Sequence, residues 1–484
     1  METDTTGSEP LRTDLTPVID AIADAEAAAF VAVGDRFDDG LRYLTRFAGP
    51  DRPYATVIRP GSGTSPPRAV LLAPGLFAEQ AEREFVDAAE REVTDGDERE
   101  VTDGDEREVI DGDEREVTDD DGRGIIDDEG SDGSTDFASV ADRFHDGVVR
   151  SVRTDRVGDP AGVRAAAAVD GDGTGADGDG ADADGDDRTL LVPASIPHDA
   201  AVYLDRAGYE LASTTVIEEM RAVKTPAEIA RLRTVQRATA AGMARAETVL
   251  AESVRVGDAD GKADSDADTA VGGELRWNDE PLTTERLRRA VNATLAAHGV
   301  RDAGNTVIGA GPSAADLHYV GTEPIRAGET VLLDVSPRGP DGYYGDLTRT
   351  FVVDGDGGWS RRAYVAVEAA RKAALAELEP GVTAATVHEE AAAELGAYGF
   401  DPSATEGEPG FTHGTGHGVG VSLHESPSLS GETALRPGHV VTVEPGVYDP
   451  DIGGVRLEDL VLVTEDGYEL LAQYPFGTTP TSRE

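Results

Sequence analysis

The sequence predicts a mixed α/β (α+β) protein built from two domains, and three observations lead to that class. Its 484 residues are more than a single hydrophobic core usually organises. Predicted helices alternate with short apolar strands along most of the chain. In the second half, a unit of two helices followed by strands occurs twice. We therefore expect a smaller N-terminal α/β domain over residues 1–220, a C-terminal domain with two similar halves over residues 221–475, and a tail over residues 476–484.

The N-terminal domain is predicted from apolar runs and alanine-rich segments. Runs rich in Val, Ile and Leu, such as residues 54–58, are typical of buried strands, whereas Ala-rich segments such as residues 16–33 favour helices. The predicted helices cover residues 16–33, 76–90, 137–150 and 198–207, and the predicted strands cover residues 54–58, 69–72, 162–169 and 190–193.

The C-terminal domain begins with a helix-start signal. Thr225 can cap the helix, Pro226 fits its first position, and Glu228 stands three residues after the cap, as in a capping box. This helix is predicted to run to about residue 253. The remaining predicted elements are helices over residues 284–298, 361–378 and 384–398, a strand over residues 305–308, a hairpin in each half, and a histidine-rich strand before the second hairpin.

Three acidic tracts, at about residues 91–136, 169–187 and 257–273, interrupt these elements and are predicted to be disordered insertions. The first contains a tandem repeat of eight residues that is too acidic and too poor in apolar residues to bury a core. Its Asp/Gly runs are similar to calcium-binding loops, but the repeat lacks their closing Glu, so calcium binding is the minor alternative.

The net charge of −52 is not confined to these tracts, because the rest of the chain still holds −24 of it. Lysine is rare, with three residues against forty arginines. This acidic, lysine-poor composition is similar to that of proteins from salt-loving archaea, in which concentrated salt screens the repulsion between surface charges. The same composition argues against nucleic-acid binding.

Cysteine is absent, which excludes disulfides and thiolate metal sites. No apolar run is long enough to span a bilayer, and residues 1–15 are polar and acidic rather than signal-like. We therefore expect a soluble, cytoplasmic protein that does not contact membranes.

The segment His413–Glu425 is predicted to belong to a functional site. It places three of the nine histidines within twelve positions, on a backbone in which every second or third residue is Gly. Glycine permits close approach of the backbone to a bound group, and histidine binds metals and titrates near neutral pH. A glycine-rich loop with incidental histidines would give the same local pattern.

Two predicted hairpins each carry a carboxylate on both arms. A turn centred near residue 340 would place Asp334 opposite Asp346. The second turn would place Glu444 opposite Glu458. Facing like charges destabilise an antiparallel pair, so both pairs require a cation. Four carboxylates and a histidine suit Mn²⁺, Co²⁺ or Fe²⁺, with Zn²⁺ as a further possibility, and they are enough for two ions.

The chain carries four motifs that occur together in one family: His413–Glu425, Gly345–Thr350, Glu444–Gly446 and Gly454–Asp459. With them it resembles the pita-bread (M24) metallopeptidases, and within these the Xaa-Pro peptidases, aminopeptidase P and prolidase. The resemblance is strong over about residues 220–470. The N-terminal part is weakly similar to the N-terminal domain of prolidases and creatinase.

Two positions depart from the family pattern. Leu423 stands where Val or Ile is usual, and Asp316-Leu317 precede His318 where Leu-Pro is common. Both changes bear on the shape of the pocket and leave the ligand positions untouched.

The resemblance implies a C-terminal pita-bread fold with a dinuclear metal site, behind a creatinase-type N-terminal domain. The implied metal ligands are Asp334, Asp346, His417, Glu444 and Glu458, of which Asp346 and Glu458 would bridge the ions. The implied substrate-side histidines are His318, His413 and His424. Two divalent ions per chain, Mn²⁺ first and Co²⁺, Fe²⁺ or Zn²⁺ as alternatives, would activate a hydroxide for attack on the peptide carbonyl.

Further roles are expected for side chains around the metals. His318 or His424 would hydrogen-bond the carbonyl oxygen or the developing oxyanion. Glu444 would carry a proton from the attacking water to the leaving nitrogen. Arg456 would orient a carboxylate at the substrate side of the site, and a plain surface ion pair is the alternative for this residue.

The predicted activity is that of an Xaa-Pro aminopeptidase, which releases an N-terminal residue that precedes proline. An Xaa-Pro dipeptidase (prolidase) is the alternative, because the difference lies in how the N-terminal domain closes over the far end of the substrate. Methionine aminopeptidase, a metal-free creatinase-like hydrolase and a non-catalytic peptide-binding protein of the same fold are weaker alternatives. The expected partners are peptides with proline in the second position, and the expected assembly is a homodimer.

Overall fold

The computed structural model describes residues 11–87, 146–156, 158–171, 188–256, 273–355 and 357–483. The predictions for the three acidic tracts fall almost entirely outside these ranges. So do the first nine residues of the helix predicted over residues 137–150.

The N-terminal part of the chain forms a six-stranded mixed sheet with helices around it. Its strands are β1 (Ala29–Gly34), β2 (Tyr54–Arg59), β3 (Arg68–Leu72), β4 (Val149–Arg153), β5 (Thr189–Pro193) and β6 (Glu210–Thr214). Its helices are α1 (Thr16–Asp24), α2 (Asp39–Thr45), α3 (Ala78–Ala81), α4 (Ala161–Asp170), α5 (His198–Arg206) and α6 (Val216–Ala222). The strand order is β4-β3-β2-β1-β5-β6, with β1 antiparallel to β2 and parallel to β5.

Three sequence predictions in this part are wrong. Residues 29–33, predicted as the end of a helix, form strand β1, because the run Phe30–Val33 is buried between two neighbouring strands. Residues 162–169, predicted as a strand, form helix α4, in which four consecutive alanines favour the helix. The end of the helix predicted over residues 137–150 is the start of edge strand β4.

Helix α4 is held in place by close packing and by one arginine. A Cβ atom at Gly162 would lie 2.9 Å from the backbone of Ala200, so the absence of a side chain lets α4 approach α5 closely. Arg164 is buried and donates to the carbonyl oxygens of Leu72 and Ala73 at 3.2 and 3.1 Å. The helix therefore caps the carboxyl end of strand β3.

The C-terminal part contains two units of two helices and antiparallel strands. The helices are α7 (Pro226–Ala251), α8 (Thr284–Ala297), α9 (Gly358–Ala376) and α10 (Ala384–Ala397). The strands are β7 (Val254–Arg255), β8 (Leu275–Trp277), β9 (Glu280–Pro281), β10 (Thr306–Ala310), β11 (Thr330–Val335), β12 (Leu347–Val352), β13 (Val440–Val443), β14 (Gly446–Asp449), β15 (Gly453–Arg456), β16 (Asp459–Thr464) and β17 (Gly467–Leu470). The capping box at the start of α7 is present as predicted, with Thr225 Oγ1 accepting from the Glu228 backbone N–H and the Glu228 carboxylate accepting from the Thr225 N–H.

Each unit closes its own hydrophobic core. Helices α7 and α8 pack with the sheet β10-β11-β12 around residues such as Met243, Val291 and Leu333. Helices α9 and α10 pack with the strands of the second hairpin around residues such as Val367 and Val461. A further cluster joins the N-terminal sheet to the C-terminal part. The division of the chain at residue 220 stays a prediction, because this cluster spans it.

The helices within the described ranges do not include one that is both long enough and apolar enough to cross a bilayer.

Candidate metal centre and active site

The first hairpin brings Asp334 and Asp346 together, but not in the predicted register. Strands β11 and β12 pair so that Asp334 faces Thr348, and Asp346 lies just before β12. The prediction that the two aspartates face each other directly is therefore wrong by two residues. The connection folds back on itself, with Gly339 N–H donating to Tyr343 O and Gly345 N–H donating to Pro337 O, which moves the effective turn centre.

The two aspartates are diagonal neighbours on one face of the hairpin, because Asp346 and Thr348 are two residues apart. Ser336 Oγ lies 3.1 Å from Asp334 Oδ1 and 2.9 Å from Asp346 Oδ1. The hydroxyl therefore lies between the carboxylates and can donate its one hydrogen to an oxygen of either.

The second hairpin has the predicted register. Val443 pairs with Asp459 on one side of Pro445, and Gly446 pairs with Arg456 on the other side. The two ladders share one register, and extending it from either side places Glu444 opposite Glu458. Proline cannot donate a hydrogen bond, and Pro445 occupies the short break between the two ladders.

The two hairpins meet at one carboxylate cluster. Asp334, Asp346 and Glu458 each offer an oxygen, and these oxygens lie within 4.8 Å of one another. Glu458 is buried, and its Oε2 accepts a hydrogen bond from Thr348 Oγ1 at 2.7 Å. Glu444 joins the cluster from the second hairpin, with Thr442 Oγ1 donating to its Oε1 at 3.1 Å.

His417 faces this cluster through one ring nitrogen. Its Nε2 lies 3.3 Å from Glu444 Oε1 and 4.0 Å from Asp346 Oδ2. Its Nδ1 lies 3.1 Å from the carbonyl oxygen of Gly418, which can only accept, so Nδ1 carries the hydrogen. Nε2 is therefore the nitrogen directed at the carboxylates. The five predicted ligands all come together at this place.

The segment that carries His417 is not the regular strand that was predicted. It pairs with its surroundings through isolated bridges, of Gly418 with Glu425 and with Val441. A Cβ atom at Gly416 would lie 2.0 Å from the carbonyl oxygen of Thr442, and one at Gly418 would lie 2.3 Å from that of Ser426. The glycines allow the backbone to lie closer to its neighbours than a strand with side chains permits.

The pKa values of three of the clustered acids are raised, because burial and mutual repulsion disfavour their charged forms. Burial, followed by the charge of Asp334, raises the pKa of Asp346 to about 8. Burial and the charge of Asp346 raise the pKa of Glu458 well above its usual range. Burial also raises the pKa of Asp334, although the positive charge of Arg456 opposes the shift. A cation in the cluster would offset this repulsion.

His417 and Glu444 form an ion pair at the edge of the cluster. Burial disfavours the charge on both groups, but their hydrogen bond and mutual attraction outweigh it. The pKa of His417 rises to about 9 and that of Glu444 falls to about 2. Glu444 is therefore ionised at neutral pH.

Arg456 is buried and orients a carboxylate, so the surface ion-pair alternative is wrong. Its Nη2 donates to Asp334 Oδ2 at 2.6 Å, and its Nη1 donates to Tyr448 OH at 3.1 Å. Its Nε lies 3.9 Å from Glu444 Oε2. A direct contact between Arg456 and the substrate stays a prediction.

His413 uses both ring nitrogens within the protein. Its Nδ1 donates to Gly414 O at 2.7 Å, and its Nε2 accepts from Tyr448 OH at 2.8 Å. Burial lowers the pKa of His413 to about 4, so the ring is neutral at neutral pH. The predicted role of His413 in substrate binding stays a prediction, and it would require the ring carbons or the displacement of Tyr448.

His424 and His318 lie on the open side of the centre. The ring centroid of His424 is 4.1 Å from that of His417. Burial lowers the pKa of His424, and the nearby charges of His417 and His318 add to the shift. His318 is exposed, and its backbone N–H donates to Asp316 Oδ1 at 3.0 Å. Both rings are therefore placed where a bound molecule can reach them.

The structure also shows residues that the sequence analysis did not single out. Each of five further residues hydrogen-bonds at least one of the predicted site residues: Gln236, Ser336, Thr348, Thr442 and Tyr448. Gln236 had one signal in the sequence, since it is a polar residue on the face of α7 that carries the buried Leu232 and Met243. Tyr448 had no such signal, because the residues next to it in the sequence do not indicate that its hydroxyl contacts His413.

Residues 230–465 match the model of metallopeptidase family M24. This segment belongs to that family. The predicted resemblance is therefore confirmed, and the carboxylate cluster lies inside the M24 segment. Members of the family are metal-dependent hydrolases by its description, which agrees with the oxygen-rich donor set of the site.

One curated relative of this chain is the Xaa-Pro dipeptidase of Pyrococcus furiosus, which is 34% identical over 216 residues. The match covers 44% of this chain and 60% of that protein, so the chain spans about three fifths of the length of this relative. A putative dipeptidase of Bacillus subtilis, YkvY, is 42% identical over 157 residues, which are 32% of this chain and 41% of that protein.

Solved structures resemble the chain as a whole. The prolidase of Pyrococcus horikoshii OT3 aligns with a TM-score of 0.65 and 20% identity, over 96% of this chain and 99% of that one. The X-Pro aminopeptidase of Thermotoga maritima MSB8 aligns with a TM-score of 0.61 and 15% identity, over 94% of this chain and 99% of that one. At these identities the likeness shows the fold alone. It confirms the predicted pita-bread fold behind a smaller N-terminal α/β domain.

Proposed function

We propose that the protein is a metal-dependent peptidase that hydrolyses the bond between a residue and a following proline, with Xaa-Pro dipeptides as its substrates. The observation that carries the proposal is the meeting of the two hairpins. Four carboxylates from the two hairpins and the imidazole of His417 converge on one site, and three of the carboxylate oxygens lie within 4.8 Å of one another. Buried carboxylates placed this close repel one another, so the arrangement favours bound cations.

The donor set fits divalent metal ions. Asp334, Asp346, Glu444, Glu458 and the Nε2 of His417 would hold them, and carboxylate-rich sites of this kind suit Mn²⁺, with Co²⁺, Fe²⁺ and Zn²⁺ as alternatives. The number of ions, proposed as two, follows from the two hairpins that each supply a pair of acids. When bound, such ions supply Lewis acidity, which lowers the pKa of water and polarises a carbonyl group.

The side chains around the metal ions would transfer the proton, hydrogen-bond the carbonyl oxygen and orient a ligand. Glu444, ionised at neutral pH, would accept the proton of the attacking water and return it to the proline nitrogen that leaves. His424 and His318 would donate hydrogen bonds to the carbonyl oxygen as negative charge develops on it. Arg456 would hold Asp334 in one orientation through the hydrogen bond at 2.6 Å.

Selectivity for proline would follow from the substrate itself. The nitrogen of an Xaa-Pro bond carries no hydrogen, so a site that serves this bond does not need an acceptor there. The rings of His424 and His318 border the open side of the centre, where the pyrrolidine ring would lie.

The dipeptidase is favoured over the aminopeptidase by the names of the relatives. The relative from Pyrococcus furiosus is called an Xaa-Pro dipeptidase, and YkvY is called a putative dipeptidase. The aminopeptidase stays the second candidate, because an X-Pro aminopeptidase has a similar fold over nearly all of this chain. A cytoplasmic location and a homodimer stay predictions.

A peptide panel tests the proposal. Purified protein loaded with Mn²⁺ would receive a dipeptide, a tripeptide and a pentapeptide, each with proline or alanine in the second position. Cleavage of the Xaa-Pro dipeptide alone is the expected result. Preferred cleavage of the longer proline peptides would assign the aminopeptidase, and equal rates with alanine would refute selectivity for proline.

A further inference from the structure

The loop between His417 and His424 is closed by one backbone pair. Gly418 and Glu425 exchange two hydrogen bonds, each of 2.9 Å. His417 and His424 are therefore diagonal neighbours across this pair, and their ring centroids lie 4.1 Å apart. The position of His424 thus depends on how residues 419–424 are held.

The side chain of Glu425 anchors the closed end of this loop. Its Oε2 accepts from Arg221 Nη2 at 2.6 Å and from Arg221 Nε at 3.2 Å, and its Oε1 lies 2.6 Å from Lys224 Nζ. All three side chains are at most 10% exposed. A Cβ atom at Gly420 would lie 2.1 Å from Glu425 Oε1, so the loop folds directly over the carboxylate.

The tip of the loop is held from the N-terminal part of the chain. Ser422 Oγ donates to Asp39 Oδ2 at 2.8 Å and accepts from Arg221 Nη2. Arg338 Nη2 donates to Asp39 Oδ1 and also to the carbonyl oxygen of Val421 at 3.1 Å. Asp39, in the first turn of α2, therefore holds both the loop and the hairpin connection.

Each cation of this network has a single carboxylate partner among the residues that the structure describes. Arg338 is 5% exposed, and its side-chain partners besides Asp39 include the neutral carbonyls of Gly342 and Val421. Asp39 is the carboxylate that pairs with it, while Glu425 pairs with Arg221 and Lys224. Removal of the Asp39 charge would leave a buried guanidinium without its acid, and it would weaken the hydrogen bonds that Asp39 accepts from Ser422 and from Arg338, which in turn contacts Val421 O.

We propose that Asp39 is a positioning residue for His424, acting through Ser422 and Arg338 on the loop 419–424. The N-terminal part of the chain would thereby set the geometry of the reaction centre without touching the substrate. This inference rests on the proposed peptidase function in so far as His424 serves that reaction. The position of His424 itself can be measured without any activity.

The test compares Asp39→Asn with wild type. In metal-free protein labelled at histidine Cε1, the nuclear magnetic resonance signal of His424, assigned with His424→Asn, should shift or broaden, and those of His388 and His413 should stay. Calorimetry with Mn²⁺ alone should give unchanged affinity. On an Xaa-Pro dipeptide, kcat should fall on the order of 10-fold with a smaller change in KM, because a displaced group slows the reaction more than it weakens binding. Ser422→Ala should act in the same direction.

Asp35→Asn is the matched control. It removes one charge from the loop just before α2, four residues ahead of Asp39, where the Asp35 carboxylate accepts from the Phe37 N–H at 2.8 Å. If Asp39→Asn and Ser422→Ala match this control in the His424 signal and in kcat, the positioning role is overturned while the peptidase stands. If wild type cleaves none of the peptides, the proposed function fails, and the His424 signal still decides whether Asp39 positions the ring.

Discussion

Gln236 holds both backbone groups of Asp346. Its Nε2 donates to Asp346 O at 2.7 Å, and its Oε1 accepts from Asp346 N–H at 2.8 Å. A single amide side chain on α7 thus fixes the peptide that carries a proposed metal ligand, and both partners are buried.

Gln236→Leu is expected to lower stability and metal affinity together. The substitution leaves the N–H and C=O of Asp346 buried without these partners, at a cost of about 2 kcal/mol in the free energy of unfolding. The less restrained carboxylate should bind Mn²⁺ about 10-fold more weakly. Urea unfolding of the metal-free protein and calorimetry with Mn²⁺ measure the two effects. Thr234→Ala, an exposed change on the same helix, is the control, and equal Mn²⁺ affinity in both variants would contradict the role of Gln236.

His417→Ala and His424→Ala are expected to separate metal binding from turnover. His417 supplies the only nitrogen among the proposed ligands, so its loss should reduce both the metal content per chain and the rate. His424→Ala should keep the metal content and lower kcat about 100-fold, since it removes a donor to the developing negative charge. Elemental analysis after gel filtration and initial rates on an Xaa-Pro dipeptide measure both quantities. Wild-type rates in both variants would show that the site has been placed wrongly.

Acid pH should destabilise the fold through His439. This side chain is fully buried, and burial together with the charges of Arg436 and Lys224 lowers its pKa to about 4. Between its ordinary pKa of 6.5 and about pH 4, the unfolded state binds a proton that the folded state does not. The stability contributed by neutral His439 is therefore complete above pH 6.5 and declines as pH falls.

The measurement is the free energy of unfolding in denaturant at several pH values between 7.5 and 4.5, at constant salt. His439→Gln should show a shallower decline than wild type over this window. His298→Gln, at an exposed helix end, should decline as wild type does. Parallel curves for all three proteins would remove His439 as a cause.

Molar salt is expected to stabilise the protein. Even without the three acidic tracts the chain holds a net charge of −24, and screening reduces the repulsion among these charges. Thermal melts followed by circular dichroism across a potassium chloride series should show a melting temperature that rises from low to high salt. A constant melting temperature would refute the interpretation of the composition.

The second hairpin shows what residue alternation can predict. A short, simple turn joins its arms, so counting from the turn centre places Glu444 opposite Glu458 correctly. The same counting fails for Asp334 and Asp346, because the connection between them carries its own internal hydrogen bonds and shifts the register by two residues. The aspartates still share a face, since a shift of two preserves the alternation of side chains.

Contacts between distant segments could not be predicted in this way. Gln236 is 110 residues from Asp346, and Asp39 is 383 residues from Ser422. Periodicity reports which face of an element is buried, and it carries no information on which other element covers that face. The type of two elements is also predicted wrongly: residues 29–33 form a strand instead of a helix, and residues 162–169 form a helix instead of a strand. Short Ala-rich apolar runs are compatible with both structures.

The two C-terminal units have separate hydrophobic cores, so a backbone cut between them would separate two halves of the proposed metal site. A cut between β12 and α9 would yield one polypeptide that ends with the first hairpin and another that carries the second hairpin and His417. Each fragment could cover much of its own apolar surface, but the first would hold two of the five proposed ligands and the second three. Ion uptake would then depend on fragment concentration, and a spectroscopic metal probe would report their reassembly as a bimolecular event.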